Sequence, residues 1–143
     1  MNAILSVKPE FAFKLLSGEK RYEYRKTVFR LPVDKVYIYA SSPICMIVGE
    51  FRIDDVIEST PTELWAATRS ASGVTSSFFF RYFNGKSKAY AIKVKDVVSY
   101  AIPLSPYTVQ EDFKAPQNYI YVKWTLIPIN NDILCQQRAI SQE

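Results

Sequence analysis

The chain has 143 residues, 48% apolar, 15% aromatic and 22% charged, with a formal net charge of +4. One domain accommodates that length, and the composition is that of a globular protein with an ample core. Histidine is absent, which excludes Ser-His-Asp and Cys-His catalysis and His-based metal sites; any enzyme chemistry falls to Lys, Tyr, Ser, Thr or carboxylates.

Ile4 to Lys8, ILSVK, reads as a short buried strand, and Pro9 then opens a helix at its first position, where a missing N–H costs nothing. Phe11, Ala12, Leu15 and Leu16 share one helical face over roughly Glu10 to Ser17, and Gly18 supplies a left-handed stop. Next comes KRYEYR, where Lys20, Tyr22 and Tyr24 alternate with Arg21, Glu23 and Arg25, the period of a strand. In KVYIYA, Val36, Ile38 and Ala40 point one way and Tyr37 and Tyr39 the other; ICMIVGEFRIDDVIE is mostly strand, with Gly49 marking a bulge.

Thr60, Pro61 and Glu63 form a capping box that starts a second helix, fading around Ser70 to Gly73. A cap in Thr75 to Ser77 starts a third, with Phe79 and Phe83 four residues apart, and Asn84-Gly85 ends it. SKAYAIKVKDVVSYAI reads as one long strand with Tyr90, Ile92 and Val94 inward. Three prolines between Pro103 and Pro116 predict an irregular crossing, NYIYVKW a last strand, and the residues from about 126 a polar tail, frayed from Asn130. The order of elements points to an α+β fold with a curled, mostly antiparallel sheet.

Charge is blocked along the chain. Residues 1–30 hold seven basic and three acidic groups, residues 31–68 two and six, residues 69–95 six and none, and residues 96–143 three and five. Two basic blocks meeting in space make a positive face suited to phosphates, whereas apart they are a solvated surface. The stretch SGEKRYEYRK alone carries four basic groups and two acids. No run of eighteen apolar residues occurs, the first residues lack the plan of a signal peptide, and Cys45 and Cys135 lie far apart with no CxxC pair. The expectation is a cytoplasmic protein with free thiols, no membrane contact and no metal.

The succession LSVKPEFAFKLLSGEKRYEYR, VYIYASSP, VGEFRIDDVIESTPTELW, FFFRYFNGKSKAYAIKV and PQNYIYV resembles the ASCH family of PUA-like domains, from about Ile4 to Val122. The resemblance implies a domain over residues 1–125, a mixed, mostly antiparallel β-barrel flanked by about three short helices, followed by the tail 126–143. It also implies a cleft between barrel and helix that takes RNA or a nucleotide without a cofactor. The family's GxKxxxxR motif falls on Gly18, Lys20 and Arg25, and the cleft would draw on Lys8, Ser41 and Ser42 as well. In ASCH amidohydrolases acting on N4-acetylcytidine, the motif lysine works with a threonine three positions on and a carboxylate between the later helices. Here the former position is Glu23, and Leu64 to Lys95 contain no acid.

As chemistry, Glu23 can orient the Lys20 ammonium or act with it as an acid–base pair, the two catalytic candidates of a nucleoside amidohydrolase or ribonuclease, and Arg25 offers a two-pronged donor to phosphate. The alternative is a structural ion pair that orders the strand. Lys26 extends the positive charge, and Tyr22 interleaved with it can stack on a base or fill a half-buried face. Phe78 to Phe83 carry five aromatics in six positions, enough to fill core and still present a face to a second copy of the chain.

Overall fold

The computed structural model describes residues 1–129 and 132–137. Six strands form one sheet in the order β2-β5-β4-β3-β1-β6: β1 (Asn2–Val7), β2 (Tyr22–Arg25), β3 (Lys35–Ala40), β4 (Met46–Ser59), β5 (Ala89–Leu104) and β6 (Tyr119–Val122). β1 and β3 run parallel and every other neighbouring pair is antiparallel. Three helices, α1 (Pro9–Ser17), α2 (Pro61–Thr68) and α3 (Ser76–Tyr82), complete the α+β architecture.

The sheet curls until its edges meet. In a flat sheet β2 and β6 would lie five strand spacings apart, about 24 Å. Instead the Arg25 side chain at the end of β2 donates to the Ser6 carbonyl on β1 (2.7 Å) and to Asn118 Oδ1 just before β6 (3.0 Å). Bulges produce the curl: the register slips at Ile38/Tyr39 in β3 and at three places where β4 meets β5. At one of them stands Gly49, where a Cβ would overlap Leu16 Cδ2 of α1 and the Val98 carbonyl. Its bareness lets the helix lie on the strands.

The caps obey local chemistry. Gly18 takes φ +84° and closes α1 with its N–H on the Leu15 carbonyl. Thr60 and Thr75 accept from the N–H groups of Glu63 and Phe78, although the Glu63 carboxylate turns to the Ser59 hydroxyl rather than completing the box.

Three clusters are buried. Leu5, Val36, Ile38, Ala40, Phe51 and Ile92 pack under Ala12 and Leu15 of α1. Tyr37, Tyr39, Tyr100 and Trp124 fill a second cluster on the opposite face of β3, so the predicted alternation along KVYIYA holds with both faces covered. The third joins Tyr24, Leu64, Phe79, Phe83, Ala89 and Ala91, closing α2 and α3 onto β2 and β5. Of the expected inward set of β5, Ile92 is buried in the first cluster and Val94 packs against it, while the helices bury the opposite face of the strand as well. Tyr90 is half-buried and reaches Glu58, whereas Ala89 and Ala91 are fully buried because their small side chains admit the helices.

Beyond β6 the chain forms a hairpin where a frayed tail was expected. Trp124–Ile129 (β7) pairs antiparallel with Asp132–Gln137 (β8). Leu126 is fully buried in the second cluster, and its N–H donates to the Tyr37 hydroxyl at 2.8 Å, which holds this hairpin on the sheet. Residues 130–131 and 138–143 of the expected tail lie outside the described residues.

Candidate functional site

The turn after Gly18 decides where Lys20 goes. Its N–H bonds the Lys14 carbonyl, which sets the residue just before β2 rather than within it, free of the strand's alternation. The side chain then runs inward past Gly73, where a Cβ would stand 2.6 Å from Lys20 Cβ and 2.7 Å from its Cγ. Gly73 also has φ +68°, so two independent constraints ask for glycine there.

Lys20 ends 1% exposed, its ammonium donating to the Ser72 carbonyl at 2.7 Å, 3.7 Å from Glu23 Oε1 and over the rings of Tyr24 (4.7 Å) and Phe11 (5.5 Å). Burial lowers its pKa from 10.5 to about 8; Glu23 opposes the shift, and Arg25 and Lys14 add to it. Glu23, itself 5% exposed, accepts from Arg25 at 2.8 Å. One carboxylate thus serves two cations, and Arg25 divides its donors among Glu23, Ser6 and Asn118.

These charges form the floor of a half-open cavity of about 240 Å³. Lys8 and Gln117 stand on its lining, with Phe11, Phe78 and Tyr82 as an aromatic wall. The buried Ser6 hydroxyl also lines it and has no hydrogen-bond partner, an orphan among the described residues. The volume falls below the roughly 300–1,000 Å³ of sites for drug-sized ligands, so the enclosed part of any guest is small. Among the described residues Glu23 is the acid of the lining, against Lys8, Lys20 and Arg25.

Of the residues expected at a site, Lys8, Lys20, Glu23 and Arg25 converge here. Lys26 stands beside them, its ammonium 4.7 Å from the Tyr82 ring. Tyr22 does not line the cavity; it packs against the α2–α3 cluster, on the face of β2 that strand alternation gives it with Tyr24. Ser41 bonds through its N–H to the Val7 carbonyl and Ser42 is exposed, and neither lines the cavity. Lys20 and Glu23 do meet, because Lys20 escapes the strand register. Ser6, Phe11, Phe78, Tyr82 and Gly73 were not expected at the site: the rings pass for core or a contact face at helical spacing, and a lone serine or glycine carries no signal. Within the aromatic helix, Phe79 and Phe83 are core, Phe78 and Tyr82 face the cavity and Phe80 is 41% exposed.

A family model for the ASCH domain matches residues 5–115. The chain belongs to the ASCH domain family. An ASCH domain-containing ribonuclease of Zymomonas mobilis is 24% identical over 131 residues, covering 85% of this ASCH chain and 84% of the relative. Two Ureaplasma parvum proteins, ATP synthase subunit alpha and large ribosomal subunit protein uL22, are 28% and 29% identical over 123 residues; the ASCH chain spans 15% and 39% of their respective lengths. Among solved structures, the crystal structure of ASCH from Zymomonas mobilis superposes with a TM-score of 0.79 at 25% identity, covering 85% of this chain and 87% of that one. A mutant of that protein gives 0.78 at 24% identity over 85% and 89%. The ASCH fold, a curled and mostly antiparallel sheet with three helices, is therefore shared. Among the described residues no helix is long and apolar enough to cross a membrane.

Proposed function

We propose that this ASCH domain binds a nucleotide or a single nucleotide unit of RNA in the cavity between α1, β2 and α3, without a cofactor. The carrying observation is the coincidence of three buried or half-buried charges, Lys20, Glu23 and Arg25, an unpartnered Ser6 hydroxyl and an aromatic wall in one half-open cavity. Lys8 and Lys26 at the rim supply attraction for phosphate, and Glu23 and Ser6 supply acceptor and donor to a polar base edge. The Zymomonas relative's name, a ribonuclease, supports RNA as the class of ligand. The free thiols Cys45 and Cys135 fit a reducing compartment, the cytoplasm.

Anisotropy of labelled single-stranded RNA, titrated with wild type and with Lys8→Ala/Lys26→Ala across salt, tests the reading. Each lost phosphate contact reduces the slope of log K against log salt by about 0.7. Absence of RNA or nucleotide binding at about 50 mM salt rejects it.

The depressed pKa of Lys20, about 8, favours a second reading in which Lys20 and Glu23 exchange a proton with a bound RNA. The acetyl-removing amidohydrolase chemistry has less support, since the cavity offers no threonine and no acid beyond Glu23 among the described residues. Incubation with RNA decides between binding and cleavage: on the catalytic reading Glu23→Gln abolishes product, and intact RNA with wild type leaves binding alone.

A further inference from the structure

Helix α3 and its C-cap Phe83 carry two aromatic pairs at i, i+4 spacing, and they do different work. Phe79 and Phe83 are 0% and 2% exposed and meet edge to face at 4.9 Å, which is core packing. Phe78 and Tyr82 stand on the neighbouring face, half-buried, with ring planes 8° apart and centroids separated by 6.2 Å. Both line the cavity, and the Phe11 ring braces Phe78 at 5.1 Å. Tyr82 rests one edge on Phe83 of the third cluster, at 4.8 Å, yet neither ring of the pair is sealed, and both border the cavity with its polar floor.

The ring faces already attract cations. Lys8 Nζ lies 6.0 Å from the Phe78 centroid and Lys26 Nζ 4.7 Å from that of Tyr82. Among the described residues neither ammonium enters an ion pair. A cation–π contact at a rim is weak beside a charge-assisted bond to phosphate, so an incoming anion can draw both lysines off the rings and expose the faces for stacking.

We propose that Phe78 and Tyr82 form the platform on which the planar base of a bound nucleotide stacks, Lys8 and Lys26 exchanging their aromatic contacts for its phosphate. The proposal rests on the nucleotide reading of the cavity. Spacing fixes the mode. Stacked bases repeat at about 3.4 Å, so a base held between two rings needs about 7 Å, more than the 6.2 Å present. The base therefore lies against the pair rather than between its members, and its polar edge turns to Ser6, Lys20 and Glu23 across the cavity.

Binding of two labelled probes by anisotropy tests this: a mixed-sequence single-stranded RNA of about 12 nucleotides, within the usual footprint, and an abasic oligomer of equal length. Phe78→Leu and Tyr82→Leu keep apolar bulk on α3, and Tyr82→Phe keeps the ring. The leucine variants are expected to weaken RNA binding about 5- to 150-fold each, with the salt slope and the abasic affinity unchanged, while Tyr82→Phe matches wild type. Lys8→Ala/Lys26→Ala weakens both probes and flattens the slope. Wild-type RNA affinity in both leucine variants overturns the platform and leaves the nucleotide reading standing, and equal losses on RNA and abasic oligomer overturn it too. If the wild-type protein binds neither RNA nor nucleoside monophosphates, both readings fall.

Discussion

Replacing Glu23 by glutamine keeps the side chain's volume and removes the charge that Lys20 and Arg25 share. Glu23 is 5% and Lys20 1% exposed, so only the narrow contact with the cavity offers water in the carboxylate's place. Breaking a buried pair by neutralising one partner costs about 3–5 kcal/mol, a large part of the roughly 5–15 kcal/mol that holds a domain of this kind together. An internal control is at hand in Lys88–Glu58, whose side chains are 71% and 51% exposed; disrupting it should cost only about 0–1 kcal/mol. Urea unfolding at pH 7 of Glu23→Gln, Lys20→Met and the double variant measures the coupling. The double variant is expected to lose less than the sum of the singles, because both singles break the same Lys20–Glu23 pair and the double leaves no buried ammonium at position 20 without its carboxylate. A cost for Glu23→Gln no larger than that of the Lys88–Glu58 control, or strict additivity, would refute the claim that these charges depend on one another.

The pH dependence of stability has a definite sign. Lys20 titrates near 8 when folded and near 10.5 when unfolded, so between those values the unfolded chain holds more protons and stability rises with pH, by on the order of 3 kcal/mol at most. Tyr24, raised by burial to about 12, works oppositely above about pH 10, where the unfolded phenol ionises first. The urea midpoint of the wild type should therefore climb from about pH 8 towards pH 10, and that climb should vanish in Lys20→Met; an identical climb in both removes the buried ammonium as its source. Two glycines separate backbone strain from crowding: Gly18→Ala, with φ +84° and open space around it, should cost about 1 kcal/mol. Gly49→Ala, which drives a methyl into Leu16 and the Val98 carbonyl, should cost about 2–3 kcal/mol or more in a thermal melt, and equal costs would contradict this assignment.

Punctuation was the readable part of the sequence. Pro9, Gly18, Thr60 and Thr75 mark helix ends through chemistry confined to a few neighbouring residues, and the structure places all three helices where those residues put them. Faces were legible in KVYIYA because period two survives in any strand, and in β5 Ile92 and Val94 were legible too, but not the opposite face, where Ala89 and Ala91 look neutral until helices close on them. Pro128 and the polar Asn130-Asn131 pair hid the β7–β8 hairpin, since a proline inside an apolar run argues against a strand unless that strand is an edge. At the candidate site the charged residues were found and their neighbours were not. Lys20, Glu23 and Arg25 stand within six positions, so local density betrayed them. Ser6 and Tyr82 come from elements far away in the chain, and no short-range pattern announces a meeting that depends on how the sheet curls.

That curl gives Arg25 a double employment. The guanidinium that faces the cavity is also the rivet joining the first edge of the sheet to the last, through Ser6 and Asn118. A guest that competes for those donors loosens the rivet, and one that adds acceptors without displacing Ser6 or Asn118 tightens it. If a guest engages that guanidinium, hydrogen exchange along β6 is expected to change on binding, although no residue of that strand lines the cavity.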